Sequence, residues 1–226
     1  MKLILFDIDG TLIHSGGAGK NAMEAAFAEL YGTQNGLNGV LLSGSTDTVI
    51  LKESLANHGR SWSETTEKEF KARYFAHLRD ELKKSNDRRA ILPGFPDLLQ
   101  ALQQQTGVHL GLLTGNWRQG AELKLGSFDL WHYFELGAFS DDHADRNKLL
   151  PFAVRRAQDL WNFLPVSRNV YVIGDTPKDI QCARPHGATA VGVATGGYSM
   201  AVLQRERPDF LFEDLSNLQE VLSIFQ

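Results

Sequence analysis

Two carboxylates spaced two residues apart, Asp7 and Asp9, stand in Asp7-Ile8-Asp9-Gly10-Thr11-Leu12, directly after the apolar run Leu3-Ile4-Leu5-Phe6. Charges set against an apolar core are costly unless a cation or a dense set of donors compensates them, so a bound Mg²⁺ is the expected companion. Gly10 permits a tight turn beside them, and Thr11 can hydrogen-bond within it. A second acidic pair, Asp175 and Asp179, lies in Gly174-Asp175-Thr176-Pro177-Lys178-Asp179, again between an apolar run and a helical pattern. Either pair alone could be an acidic turn or a helix N-terminal cap. Together, Asp7, Asp9, Asp175 and Asp179 make an oxygen-rich set of the kind hard divalent cations prefer.

Two more segments offer groups that suit a phosphate. Leu112-Leu113-Thr114-Gly115-Asn116 ends an apolar run in a hydroxyl, so Thr114 is expected to donate to a phosphate oxygen, with the neighbouring N–H groups at Gly115 and Asn116 assisting. Strand-Thr-Gly is also an ordinary turn. Neutralising phosphate charge needs a cation, and Asp145-Arg146-Asn147-Lys148 supplies Arg146 and Lys148, each of which could equally be a solvated residue at a helix start. Gly16-Gly17-Ala18-Gly19-Lys20 has the glycines of a phosphate-binding P-loop. Asn21 replaces the Ser/Thr required after the lysine, however, and His14 stands where the first glycine belongs, which favours a hinge or flap. Gly196-Gly197 reads as a turn after a strand.

The elements that must position these residues are legible in the hydrophobic pattern. Leu3–Phe6, Val108–Leu113, Leu136–Phe139, Val170–Ile173, Ala190–Val193 and Phe210–Phe212 are short apolar runs, mostly separated by helical patterns such as 148–164, 178–186 and 215–225. This alternation predicts an α/β fold with a Rossmann-like, doubly wound parallel sheet in three layers. Residues 15–89 break the alternation. Met23, Ala26, Phe27 and Leu30 stop at Gly32; Val49, Ile50 and Leu55 stop at Gly59; Ser61 and Glu64 resemble a capping box before Phe70, Tyr74, Leu78 and Leu82. The expectation is a small helical subdomain over 15–89, inserted into a core of 1–14 and 90–226, with hinges near Gly16-Gly17 and Asn86-Asp87. Phe128, Trp131, Tyr133 and Phe134 read as core.

Composition bounds the partners. The 226 residues are 42% hydrophobic and 22% charged with a net charge of -4, which provides a sizeable core but no broad basic field for nucleic acid or an anionic membrane surface. A small ligand is the expected partner. The single cysteine, Cys182, excludes an intramolecular disulfide, and the seven histidines show no zinc-ligand spacing. With no apolar run long enough for a signal peptide or a membrane span, the expected compartment is the cytoplasm.

Taken in order, the DxDGT segment at Asp7, the Thr114 segment, the Arg146/Lys148 segment and the GDTPxD segment at Asp175 resemble the signature of the haloacid dehalogenase-like (HAD) superfamily. The helical insertion is similar to the cap of its phosphoglycolate phosphatase-like branch, so the resemblance covers nearly the whole chain. It implies an Mg²⁺-dependent phosphatase acting on a small phosphorylated metabolite, such as a phosphoglycolate-like monoester, through an aspartyl-phosphate. Asp7 would be the nucleophile and Asp9 the general acid/base; Thr114 and a downstream lysine would bind the phosphoryl group. Asp175, Asp7 and the Asp9 carbonyl would hold the metal, with Asp179 in support. The family's usual Lys-Pro step is absent, which leaves Lys148 and Arg146 as alternatives, with Lys148 slightly favoured. The loop Ser43-Gly44-Ser45-Thr46-Asp47 is expected to select the leaving group. A β-phosphoglucomutase-like phosphomutase on the same scaffold is the main rival. A true dehalogenase would not be expected to keep the second aspartate, and a phospho-accepting receiver domain has no use for a cap.

Overall fold

The computed structural model describes residues 1–225. The chain begins with β1 (Lys2–Phe6), β2 (Ile13–Ser15), α1 (Ala18–Tyr31), α2 (Asp47–Asn57), α3 (Glu64–Lys83) and β3 (Arg89–Ile91). It continues through α4 (Asp97–Gln103), β4 (Val108–Leu113), α5 (Arg118–Gly126), β5 (Leu136–Ala138), α6 (Leu150–Trp161) and β6 (Val170–Gly174). It closes with α7 (Pro177–Ala183), β7 (Thr189–Val193), α8 (Met200–Arg205), β8 (Phe210–Phe212) and α9 (Leu218–Ser223).

Six strands form one sheet in the order β5-β4-β1-β6-β7-β8, every pairing parallel. β1 lies inside it, and its side chains alternate between two apolar layers. Ile4 and Phe6 pack with Leu98, Leu102 and Leu125 of α4 and α5 and with Val221 of α9. Leu3 and Leu5 face Leu150, Ala153, Ile180 and Leu203 of α6, α7 and α8. Burial on both faces is why these strands read as continuous apolar runs. The strand order builds outward from β1 to β4 and β5, then returns through β6 on the other side. This reversal opens a crevice beyond the carboxyl ends of β1 and β6, where such sheets take their ligands.

Between β2 and β3 the chain makes the three helices α1, α2 and α3. The two short strands pair antiparallel, with Ile13 opposite Ile91 and Ser15 opposite Arg89, so the chain enters and leaves the helical unit through one ribbon. The unit has its own apolar cluster, including Phe27, Leu51, Phe70, Tyr74 and Leu78. α1 stops at Gly32, whose φ of 64° gives its N–H a carbonyl acceptor at Ala28. α3 starts two residues later than the Ser61/Glu64 box implied. Ser63 is the cap, and its hydroxyl accepts the Thr66 N–H at 3.1 Å, because Glu64 is already helical.

Trp117, in the turn after β4, joins the sheet to this unit. It is fully buried in the helical cluster, meets Phe70, Tyr74 and Phe75 edge-on, and donates its indole N–H to Thr48 Oγ1 at 2.9 Å. Among the described residues no helix is long and apolar enough to cross a membrane. Trp117→Ala is expected to cost about 3–5 kcal/mol, the usual range for losing a buried aromatic. Urea unfolding monitored by far-UV circular dichroism would measure it.

Candidate active site

A cavity of about 370 Å³ opens at the sheet's crevice, with Asp7, Thr114, Arg146 and Asp175 on its core side and Gly19, Ser45 and Tyr74 on its helical side. Asp7 extends β1 by one step: its N–H donates to Ile173 O at 2.9 Å, which sets it beside the residue that ends β6. The chain then turns at Gly10, whose φ of +86° favours glycine and where a Cβ would fall 2.6 Å from Asp175 Oδ2. On the other side, a Cβ at Gly196 would fall 1.7 Å from the same oxygen. Asp175 thus sits between two bare backbones, held by a hydrogen bond from Thr11 Oγ1 at 3.2 Å. Gly196 is therefore more than a turn residue, since only glycine leaves room for that carboxylate.

Asp7, Asp175 and Asp179 each offer a carboxylate oxygen, all within 4.8 Å of one another. Burial, with Asp179 and Asp7 adding their charges, pushes Asp175 up to about 8. Burial likewise raises Asp7 to about 6, although Arg146 opposes it. Such crowding of hard oxygens at the strand ends is what a divalent cation relieves, so the donor set fits a metal ion. Asp179 contributes least to that fit. One of its oxygens accepts the N–H and hydroxyl of Thr176, at 3.0 and 2.7 Å, and the other binds Arg146 Nη2. Asp7 and Asp175 keep the freer oxygens.

Arg146 is buried, lies 3.1 Å from Asp7 Oδ1 and pairs with Asp179; those two charges hold its guanidinium protonated against the opposing effect of burial. Lys148, the slightly favoured alternative from sequence, is exposed and stands outside the cavity wall. The local reason is geometric. Residues 146–148 form one 3₁₀ turn capped by Asp145, and at three residues per turn, positions two apart face different directions.

Asp9, expected in the same set, stands with its carboxylate outside this cluster and has an unforeseen partner. Its side chain, 39% exposed, accepts from Lys124 Nζ at 2.5 Å, from Asn116 Nδ2 at 3.0 Å and from Ser15 Oγ at 3.2 Å. Burial would raise its pKa, but Lys124 and these hydrogen bonds lower it below the usual carboxylate value. Burial likewise opposes the charge on Lys124, and Asp9 and Asp47 more than offset it, leaving its pKa raised. Ala121, Lys124 and Leu125 share the buried face of α5, so a lysine standing in an apolar i, i+3, i+4 stripe was the available signal.

The remaining expected residues converge on the same seam. The Thr114 hydroxyl, beside Asp7, accepts from Asn116 Nδ2 at 2.9 Å, and Asn116 Oδ1 accepts from Lys124 at 2.6 Å. Ser43, Gly44 and Ser45 line the cavity from the loop before α2, and Lys178 Nζ donates to Ser45 Oγ at 2.8 Å. Gly115 is where that loop touches the sheet: Asp47 N donates to Gly115 O at 2.7 Å, and a Cβ on Gly115 would sit 2.3 Å from Ser45 O. Asp47, which also accepts the Trp117 N–H at 2.8 Å, is raised to about 7 by burial.

Comparison with known proteins now decides the family, for the profile of the haloacid dehalogenase-like hydrolases matches residues 4–193. The chain belongs to that family. A phosphoglycolate phosphatase of Pseudomonas syringae pv. tomato is 27% identical over 224 residues, covering 96% of this chain and 78% of that one. A phosphoglycolate phosphatase of Synechococcus elongatus is 26% identical over 230 residues, covering 99% and 98% of the two chains. The crystal structure of a predicted phosphoglycolate phosphatase from Haemophilus somnus superposes with a TM-score of 0.71 at 19% identity, covering 98% of each chain, and shares the fold. With this family and these relatives along its length, the chain is a HAD-type phosphatase, a phosphoric monoester hydrolase.

Arg146→Met is expected to lower phosphatase kcat/KM by about 10²-fold or more, the scale of losing one preorganised charge in a catalytic site. Lys148→Met should stay within about twofold, as surface substitutions do. Steady-state hydrolysis of an aryl phosphate by the two variants separates the cations.

Proposed function

We propose that the protein hydrolyses a small phosphorylated metabolite with Mg²⁺, through an aspartyl-phosphate formed on Asp7. The observation carrying this reading is the position of Asp7 at the strand-order reversal, between Arg146 and Asp175, with Asp9 two residues on. An Asp7 oxygen bonds to phosphorus as the bond from phosphorus to the leaving oxygen breaks. Asp9 gives that oxygen its proton. It then takes a proton from the water that attacks the phosphorus, and cleavage of the Asp7 ester releases inorganic phosphate. Arg146 and Thr114, with the N–H groups at Gly115 and Asn116, hold the phosphoryl oxygens. Asp179 acts on Arg146 more than on a metal. Mg²⁺ held by Asp7, Asp175 and the Asp9 carbonyl would offset the charge on the transferring group.

Lys124 keeps Asp9 ionised in the resting site, which suits the base role. A doubly charged phosphoryl group beside Asp9 offsets Lys124, and this is the condition under which Asp9 carries the proton its acid role needs. Residues 15–89 serve as a cap, with Ser43, Gly44 and Ser45 facing the leaving group. 2-Phosphoglycolate, named for the relatives, is the first candidate substrate. The cytoplasm is the proposed compartment, where the lone, buried Cys182 needs no partner.

Purified protein should release phosphate from aryl phosphates and from 2-phosphoglycolate in Mg²⁺, lose that activity to a chelator and regain it on adding Mg²⁺. Asp7→Asn should lower turnover by at least about 10³-fold. Turnover retained in that variant would remove Asp7 from the nucleophile role. Phosphoryl return to a hexose 1-phosphate in place of water would reassign the protein as a mutase.

A further inference from the structure

Tyr74, on α3, is fully buried against Trp117 and lines the catalytic cavity, yet its hydroxyl has no hydrogen-bond partner among the described residues. Buried hydroxyls are nearly always bonded, and an orphan costs about 1–3 kcal/mol. The ring's packing does not account for the hydroxyl, because the neighbouring cluster members Phe70 and Phe75 pack the same indole without one.

The surroundings of the hydroxyl are rich in donors. The Cβ position of Gly19, in the first turn of α1, lies 3.1 Å from Lys124 Nζ and 3.8 Å from the Tyr74 oxygen, so the ammonium and the phenol flank one spot. Lys124 spends two of its three N–H donors on Asp9 and Asn116 and keeps one. α1 begins at Gly17 with no side-chain cap and no acidic residue in its first turn, and Gly17, Gly19 and Lys20 line the same cavity. The positive end of the helix therefore lies at the cavity wall with no side-chain cap on its first N–H groups. Neither nearby carboxylate accepts from the phenol: Asp9 is bonded by Lys124, Asn116 and Ser15, and Asp47 accepts the Trp117 N–H on Oδ2. Burial, with Asp47 and Asp9 nearby, raises the phenol well above its ordinary pKa, which keeps it a donor at neutral pH.

We infer that the Tyr74 hydroxyl, with Lys124 and the first amides of α1, reads a carboxylate on the leaving group, which makes Tyr74 a specificity residue. This inference rests on the phosphatase reading of the same cavity. The leaving oxygen must lie at Asp9, and Lys124 touches Asp9, so a carboxylate close behind the ester oxygen meets Lys124 and Tyr74 together. The glycine-rich segment before Lys20 thereby serves the leaving group, while the sheet serves the phosphoryl group.

The test compares 2-phosphoglycolate with ethyl phosphate, which replaces the carboxylate by a methyl group. Wild-type protein should favour 2-phosphoglycolate in kcat/KM by about tenfold or more, and Tyr74→Phe should cut that ratio about tenfold through KM, the scale of one hydrogen bond to a charged group. Equal losses on both substrates, or an unchanged ratio, would reduce Tyr74 to packing. Should Tyr74→Phe fold poorly, Gly19→Ala, whose Cβ crowds Lys124 Nζ, tests the same spot by the same ratio. Wild-type turnover of an aryl phosphate with no carboxylate preference would overturn this inference and leave the phosphatase reading intact. No turnover of any phosphomonoester would overturn both.

Discussion

Negative charge gathered at the ends of two parallel strands is the constraint that organises this molecule. Asp7 after β1 and Asp175 after β6 are brought together by ladder register, whatever their protonation. Arg146 is the protein's own answer to part of that charge. It comes from a turn beyond β5 and is fixed by Asp179, which in turn caps α7 through Thr176. Removing one partner from such a buried set would leave an uncompensated charge, so the helix cap, the cation and the strand-end carboxylate stand or fall together.

The same logic explains the glycines. Gly10 and Gly196 flank the Asp175 carboxylate so closely that neither can bear a side chain, and Gly115 lets the loop before α2 lie against the backbone of the sheet. Backbone is thereby used where side chains would block approach, and the acidic groups are held by N–H and hydroxyl donors with little freedom to reorganise.

Much of this was readable in the residues. The six sheet strands stand where apolar runs occur, because burial on both faces leaves no other pattern, and the carboxylates at their ends were marked by position alone. The short helices α4, α5 and α8 were not foreseen, whereas α7 and α9, no longer than α4, were marked by the apolar spacing of 178–186 and 215–225. Lys124 and Tyr74 escaped for different reasons. Tyr74 looks like an ordinary member of a helix face and Lys124 sits on a helix that was not foreseen, and only the crossing of α1, α3 and α5 brings Gly19, Tyr74 and Lys124 to one point. The choice between Arg146 and Lys148 depended on the phase of a single 3₁₀ turn, which composition does not encode.

The β2–β3 ribbon has a consequence for how such a protein can diversify. Because both ends of the helical unit pass through neighbouring strands, residues between them can be replaced, lengthened or shortened while the sheet keeps its register. Descendants of one ancestor could therefore change what they accept by altering 16–88 and inherit the bond-breaking apparatus unaltered, with Trp117 as the main sheet-borne residue any new insert would have to accommodate.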